Sequence, residues 1–151
     1  MDRLVERGGI MPVAEMLRTY PADLGGVDRD ALRRCIEECV ACAQACTACA
    51  DACLSESDEM LPRLRKCVRT NTDCADVCET TARVLSRHTG YDANITRAVL
   101  EACATVCRSC GDECEAHASE HEHCRVCAES CRRCEQACRE LIDTLGRGAG
   151  G

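Results

Sequence analysis

The chain has 151 residues, 18 of them cysteine, and a formal net charge of -7 at pH 7. Charged residues interrupt every apolar run before it reaches the ~18 residues of a membrane span, and the N-terminus lacks the apolar core of a secretion signal. The acidic balance and the scarcity of aromatic side chains, two Tyr and no Phe or Trp, argue against a nucleic-acid surface. We therefore expect a soluble, cytoplasmic protein with no membrane or nucleic-acid partner, whose cysteines are thiols or metal ligands rather than disulfides.

The first 27 residues are predicted to form an arm in front of a helical domain. Within this arm, the segment from Pro12 to Tyr20 favours a short helix that packs across one end of the domain. The domain itself is predicted to span residues 28–146. Residues 147–151, which include three glycines, are expected to form a flexible tail.

Four segments with helical periodicity make up the domain, and together they contain all 18 cysteines. Within each segment, steps of three and four residues place the cysteines on one stripe of a helix. In chain order, the four stripes carry Cys35, Cys39, Cys42, Cys46, Cys49 and Cys53; Cys67, Cys74 and Cys78; Cys103, Cys107, Cys110 and Cys114; and Cys124, Cys127, Cys131, Cys134 and Cys138.

The second segment is predicted to be helical from about residue 58 to residue 87. Pro62 would lie in its first turn, where proline is tolerated because the first N–H groups of a helix have no intrahelical partner. Gly90 is predicted to be the glycine that stops this helix.

Capping residues predict where the third and fourth helices begin. The third follows Asp92 or Asn94, either of which can act as an N-cap. The fourth opens with a capping box, in which Ser119 is followed three residues later by Glu122. The fourth helix is predicted to stop at Gly146.

Four helices of about 25 residues, joined by connections of roughly four to seven residues, predict an all-α protein. The expected architecture is an up-down-up-down antiparallel four-helix bundle with a short N-terminal helix. All 18 cysteines fall on the inward positions of their own helix, so the interior of the bundle should be lined with thiols.

Two simple interpretations explain a thiol-lined interior poorly. Cysteine is a small hydrophobe that is often buried, but leucine and isoleucine fill a core better and carry no oxidation liability. Disulfides between cysteines three or four residues apart would close tiny loops and would tie no helix to another. Metal binding is therefore the favoured interpretation.

Charge and geometry favour monovalent copper among the metals. Four or five tetrahedral zinc ions would leave about half of the thiolate charge uncompensated in the interior, which is energetically costly. Cu(I) cancels thiolate charge one for one, and soft thiolates select it. Iron–sulfur clusters fit less well because their cysteines usually come from loops that wrap a compact cluster.

The repeated motifs Cys35-x3-Cys39-x2-Cys42-x3-Cys46-x2-Cys49-x3-Cys53 and Cys124-x2-Cys127-x3-Cys131-x2-Cys134-x3-Cys138 resemble those of bacterial copper storage proteins. These are four-helix bundles lined with cysteine and filled with Cu(I), and the resemblance covers about residues 28–146. Without an export signal, the chain looks like the cytosolic branch. The resemblance implies storage of many Cu(I) ions per chain by thiolate coordination and a homotetramer of bundles. A copper chaperone is a candidate partner.

One end of the predicted bundle should be closed by an apolar plug. In an antiparallel bundle, the start of the first helix, the second connection and the end of the fourth helix meet at this end. Their inward positions all hold the same bulky aliphatic residue. This leucine plug consists of Leu32, Leu85, Leu100, Leu141 and Leu145.

The opposite end, which we call the mouth, is predicted to be the entrance for copper. Three histidines and a methionine lie there, and these neutral ligands would bind Cu(I) more weakly than thiolates and pass it inward. The alternative is that the histidines are solvated surface groups. The receiving thiols would be Cys53, Cys114 and Cys124. The entrance residues are His117, His121, His123 and Met60.

Asn71 is the one polar residue other than cysteine deep in a stripe. A buried asparagine often sets the register of a bundle, and this role is favoured over metal ligation.

The leading functional prediction is a store and buffer of Cu(I) that is not an enzyme. Two alternatives stay open. A zinc-binding, metallothionein-like bundle would take up a few divalent ions, and a thiol redox buffer would need an accessible cysteine of low pKa.

Overall fold

The structure is a computed structural model that describes residues 11–148, with side chains as far as Leu145. Within that range the chain forms five helices and no strand. The helices are α1 (Val13–Arg18), α2 (Arg29–Leu54), α3 (Leu61–Leu85), α4 (Ala93–His117) and α5 (Glu122–Gly148).

The four long helices form the predicted antiparallel bundle. Helices α2 and α3 pack against each other, as do α4 and α5, and the ring is closed by contacts of α2 with α5 and of α3 with α4. Connections of six, seven and four residues separate consecutive long helices, and such short connections make neighbours antiparallel. No helix in the described part of the chain is both long enough and apolar enough to cross a bilayer.

The predicted N-terminal helix is present as α1, which packs on α2. Leu17 is the buried residue of α1. Just after the helix, the hydroxyl of Tyr20 lies 3.1 Å from that of Thr89, and its ring packs edge-on against His88. The arm is therefore tied to the turn between α3 and α4. Residues 1–10 of the predicted arm lie outside the described part of the chain.

Aspartate side chains cap the N-termini of two of the long helices. Asp28 accepts a hydrogen bond from the backbone N–H of Ala31 at 3.0 Å and caps α2. Asp92 accepts from the N–H of Asn94 at 2.8 Å, so Asp92 rather than Asn94 caps α4. Each cap satisfies an N–H that has no intrahelical partner.

The ends predicted for α3 were wrong by two or three residues. The helix is Leu61–Leu85, and Pro62 does lie in its first turn. Ser86 ends the helix, with its hydroxyl donating to the carbonyl of Ala82 at 2.7 Å. Gly90 adopts a left-handed φ of 64° in the turn further on. It shapes that turn and does not stop the helix.

Two predictions for α5 were also wrong. Because the helix begins at Glu122, Ser119 lies too far upstream to cap it, and the Glu122 carboxylate instead accepts from Arg125 at 2.6 Å. The helix also continues past Gly146 to Gly148. A glycine lowers helix propensity by about 1 kcal/mol relative to alanine, which weakens a last turn without ending it.

The interior of the bundle is divided between thiols and leucines. Every cysteine is at most 2% exposed, and we call the 18 side chains together the thiol column. At the end where α1 packs, four leucines of the predicted plug are buried and the fifth is half-buried and packed against them. The buried four are Leu32, Leu85, Leu100 and Leu141, and the fifth is Leu145.

Candidate metal centre

The thiol column extends from the leucine plug to the mouth. Next to the plug, the sulfur atoms of Cys35 and Cys138 lie 3.7 Å apart, and near the mouth those of Cys49 and Cys124 lie 3.9 Å apart. A disulfide bond is about 2.05 Å long, and all 18 cysteines are free thiols. The column therefore offers sulfur atoms from four helices at contact distance, without covalent links between them.

The sulfur atoms form overlapping sets of four, each set lying within 4.8 Å. Each of the four sets given below draws on three or four helices, because the inward stripes of all four helices meet at the bundle axis. Several thiols belong to two sets, so neighbouring sites share ligands. Four such sets are Cys39, Cys103, Cys134 and Cys138; Cys42, Cys46, Cys74 and Cys131; Cys42, Cys78, Cys107 and Cys134; and Cys46, Cys110, Cys127 and Cys131.

Asn71 lies inside the thiol column and is fully buried. Its amide nitrogen donates to the backbone carbonyl of Cys67 at 2.7 Å. Because a carbonyl can only accept, the amide oxygen faces the other way, where the thiols of Cys127 and Cys110 donate to it at 2.9 and 3.3 Å. Asn71 thus connects α3 with α4 and α5, and both roles suggested for it stay predictions.

His123 contacts the thiol column at the mouth. Its Nδ1 lies 3.4 Å from the sulfur of Cys49 and 3.6 Å from that of Cys124. Together with Cys53 these residues form a set within 4.8 Å. The mouth therefore offers one imidazole nitrogen beside three thiols, a combination suited to a soft monovalent or divalent metal.

His121 is also buried at the mouth, with its side chain 6% exposed. Its Nδ1 lies 2.9 Å from a carboxylate oxygen of Glu56, and the same oxygen lies 2.9 Å from Nε2 of His123. The two rings are 5.6 Å apart. The hydrogen bond from His123 holds the pKa of the Glu56 carboxyl below its usual range, so Glu56 is a carboxylate at neutral pH.

The other two predicted entrance residues have different surroundings. Nε2 of His117 lies 3.0 Å from the Glu113 carboxylate one turn earlier on α4. Met60 immediately precedes α3 and packs, partly buried, against the core. All four entrance residues lie at the predicted end of the bundle, but only His123 is seen beside the sulfur atoms.

Sequence reasoning missed Glu56. The residue lies in the turn after α2, where the sequence analysis assigned no functional residue. Nothing in the local pattern distinguishes it from the 25 other acidic residues of the chain. Its partners, His121 just before α5 and His123 in the first turn of α5, are 65 and 67 positions away, so only the three-dimensional arrangement reveals it.

Burial and hydrogen bonds between thiols raise the pKa of Cys53 and of Cys39. Burial is the main reason why the pKa of Cys53 is raised from its ordinary value to about 11. The pKa of Cys39 is also raised well above that value, first by its hydrogen bond with Cys103. Both thiols are therefore neutral in the folded protein at physiological pH, and binding a metal there must release a proton.

The copper-free, reduced protein should lose stability as the pH rises from about 9 to 11. In the unfolded chain the Cys53 thiol ionises near the ordinary cysteine pKa of 9.0, whereas in the folded protein it holds its proton to a pKa of about 11. The unfolded state loses the proton first, so the free energy of unfolding falls across this window. Anaerobic urea unfolding at a series of pH values measures the slope. A Cys53→Ser control should show a shallower one, and equal slopes would contradict the assignment to Cys53.

The model of the family described as copper storage protein matches residues 28–143. The chain belongs to the copper storage protein family. The match covers α2 to α4 and most of α5, which are the helices that carry the thiol column. The resemblance predicted from the cysteine motifs is confirmed, as is copper storage as the function of this family. No curated protein matches the chain.

Solved structures from Streptomyces lividans share the fold. The copper storage protein Ccsp, loaded with 10 copper equivalents, is 73% identical over 87% of this chain and 98% of its own, with a TM-score of 0.85. A cytosolic copper storage protein with five coppers is 73% identical over 79% of this chain and 98% of its own, with a TM-score of 0.76. A Ccsp mutant with two histidines changed to alanine is 71% identical over 80% and 99%, with a TM-score of 0.77.

Proposed function

We propose that this chain stores and buffers Cu(I) in the cytosol by binding it in the thiol column, and that it catalyses no reaction. The observation that carries the proposal is the burial of 18 free thiols inside the bundle, where sulfur atoms from all four long helices form overlapping sets within 4.8 Å. The Streptomyces lividans structures support it, since they are of a cytosolic copper storage protein loaded with copper that is 73% identical to this chain.

Shared ligands favour Cu(I) over zinc in this column. Thiols such as Cys42 and Cys46 belong to two sets each, and a bridging thiolate can serve two low-coordinate Cu(I) ions. If each tetrahedral zinc ion took four thiolates of its own, four or five zinc ions would neutralise only about eight to ten of the 18 thiolate charges. An uncompensated charge in a buried column is costly.

Anaerobic titration of the reduced protein with Cu(I) against a chromogenic chelator tests the function. We expect tight uptake of ~15 or more Cu(I) per chain, because only bridged monovalent ions reach that count with 18 thiolates. A parallel zinc titration is the control. A plateau at four or five equivalents, matched by equal zinc uptake, would replace storage by discrete tetrahedral sites. Thiol counting before and after a mild oxidant tests the redox-buffer alternative.

In this proposal copper enters at the mouth. His123 supports the assignment, since its Nδ1 lies within 3.6 Å of two sulfur atoms of the column. The ions then pass to Cys53, Cys114 and Cys124. The proposed metal ligands are the 18 cysteines together with His117, His121, His123 and, as a thioether at the rim, Met60.

Replacing all three mouth histidines by alanine should slow Cu(I) uptake about tenfold or more while leaving the final capacity nearly unchanged. The imidazoles would supply the first ligands, whereas the thiols that hold the stored ions stay intact. Stopped-flow loading from a chelated Cu(I) donor measures the rate. His88→Ala, at the opposite end of the bundle, is the matched control. An unchanged rate in the triple variant would remove the entrance from the proposal.

The proposal includes assembly into a homotetramer and delivery of copper by a chaperone. A groove between α1 and the outer faces of α2 and α3 supports self-association, because its apolar lining includes the exposed side chains of Met16 and Val40. Apolar patches of this kind often mark protein interfaces. Sedimentation equilibrium of the copper-free and loaded protein tests the tetramer.

A further inference from the structure

Glu56 joins the two buried histidines of the mouth through a single atom. Its Oε2 lies 2.9 Å from Nδ1 of His121 and 2.9 Å from Nε2 of His123. The backbone N–H of Glu56 donates to the carbonyl of Cys53 at 3.3 Å, which ties the carboxylate to the end of α2. The carboxylate therefore sits where α2 ends and α5 begins.

The contacts of Glu56 determine which ring nitrogens carry hydrogen in the neutral imidazoles. A carboxylate oxygen can only accept, so Nε2 of His123 and Nδ1 of His121 must each carry the hydrogen that faces it. The other nitrogen of each ring is then a bare lone pair. On His123 this is Nδ1, the atom that lies 3.4 Å from the sulfur of Cys49.

On His121 the bare nitrogen is Nε2, and an independent observation marks it as a ligand atom. Within the described residues it is the one buried side-chain nitrogen or oxygen without a hydrogen-bond partner. One carboxylate oxygen of Glu120 lies 4.0 Å from it, beyond hydrogen-bond distance, and the other oxygen of Glu120 lies 3.5 Å from Arg63. A buried polar atom without a partner is costly unless something binds it.

We propose that Glu56 is a positioning residue that fixes opposite tautomers in His121 and His123, so that each ring presents a bare nitrogen for Cu(I). A histidine that binds a metal through one ring nitrogen often donates the N–H of its other nitrogen to a carboxylate. This hydrogen bond orients the ring and raises the basicity of the nitrogen that binds the metal. The inference rests on the proposed function, since it assigns Glu56 a part in copper uptake at the mouth. Glu56 itself need not touch the metal.

The imidazole ¹⁵N shifts of the copper-free protein test the tautomers directly. At about pH 8 we expect Nδ1–H on His121 and Nε2–H on His123. Glu56→Ala removes the acceptor, and His121 should move to the Nε2–H tautomer or to a mixture. Glu56→Gln keeps an oxygen acceptor without the charge and should retain more of the native tautomers. An Nε2–H tautomer of His121 in the unmodified protein would overturn the proposal.

Loading kinetics then connect the tautomers to copper. We expect Glu56→Ala to slow Cu(I) uptake about tenfold or more, in line with the loss of a supporting carboxylate at other metal sites, and Glu56→Gln to slow it less. Glu79→Gln, which removes an exposed carboxylate that pairs with Arg83 on α3, is the control and should change nothing. Equal slowing by Ala and Gln with native tautomers in the Gln variant would mean that charge attraction acts alone, and would overturn positioning.

The same experiments separate this inference from the proposed function. A capacity of only a few ions in the unmodified protein would refute storage, whatever the tautomers are. Full capacity with unchanged loading rates in both Glu56 variants would refute the role of Glu56 and leave storage standing. Far-UV circular dichroism of each variant verifies that the bundle is intact.

Discussion

Filling the thiol column with Cu(I) is expected to raise the free energy of unfolding by far more than any single substitution lowers it. A ligand that binds only the folded state contributes about 4 kcal/mol per site when its free concentration is a thousand times Kd. The column draws ligands from all four long helices, so unfolding must break many such sites together. The copper-free bundle, by contrast, is held by small thiol side chains that pack less apolar volume than leucine.

Anaerobic guanidinium unfolding, followed by far-UV circular dichroism, measures this difference. The loaded protein should unfold at a much higher denaturant concentration than the copper-free protein, or should not unfold at all within the accessible range. Copper bound by cysteines of the unfolded chain reduces the effect but does not remove it. Stripping the metal with a strong chelator should restore the copper-free midpoint. Equal midpoints for the two forms would contradict binding inside the bundle.

Replacing Leu100 by alanine should cost the copper-free protein about 2–5 kcal/mol, the range measured for buried leucines elsewhere. Leu100 is fully buried in the leucine plug, and its loss leaves a cavity among the other leucines. The copper capacity should stay close to that of the unmodified protein, because no thiol is removed. Denaturant unfolding gives the first quantity and Cu(I) titration the second.

Val126→Ala is the matched control for this substitution. Val126 lies on α5 with half of its surface exposed, and exposed changes of this kind usually alter stability by no more than about 0.5 kcal/mol. If Leu100→Ala were equally harmless, the plug would not be the packed end that its burial indicates. If it instead abolished copper uptake, the plug would have a part in binding that the sulfur contacts do not suggest.

Helical periodicity predicted the bundle and its thiol lining because both depend on local spacing. Steps of three and four residues put Cys35 and Cys39 on one face whatever the rest of the chain does. The leucine plug followed from the same spacing once short connections made the helices antiparallel. Leu32 and Leu141, far apart in sequence, could therefore be assigned to one end.

Helix ends and the chemistry of the mouth were harder to predict, for different reasons. Several residues near the start of a helix can act as its N-cap. An N-cap contributes only about 1 kcal/mol, so tertiary packing decides whether Ser119 or one of its neighbours takes that position. The contact between Glu56 and His121 depends on how two turns lie against each other. The orientation of the Asn71 amide likewise depends on thiols of α4 and α5, which no local pattern of α3 encodes.

In the described part of the chain, the leucine plug closes one end of the bundle, so the proposed route for copper leads through the mouth alone. The sulfur atoms of Cys35 and Cys138 lie deepest, beside the plug, and the rest of the column stands between them and the mouth. In the proposed store, an ion bound beside the plug can reach the mouth only past the sites that lie nearer to it. The sites at the mouth would therefore exchange copper with the outside more readily than the sites beside the plug.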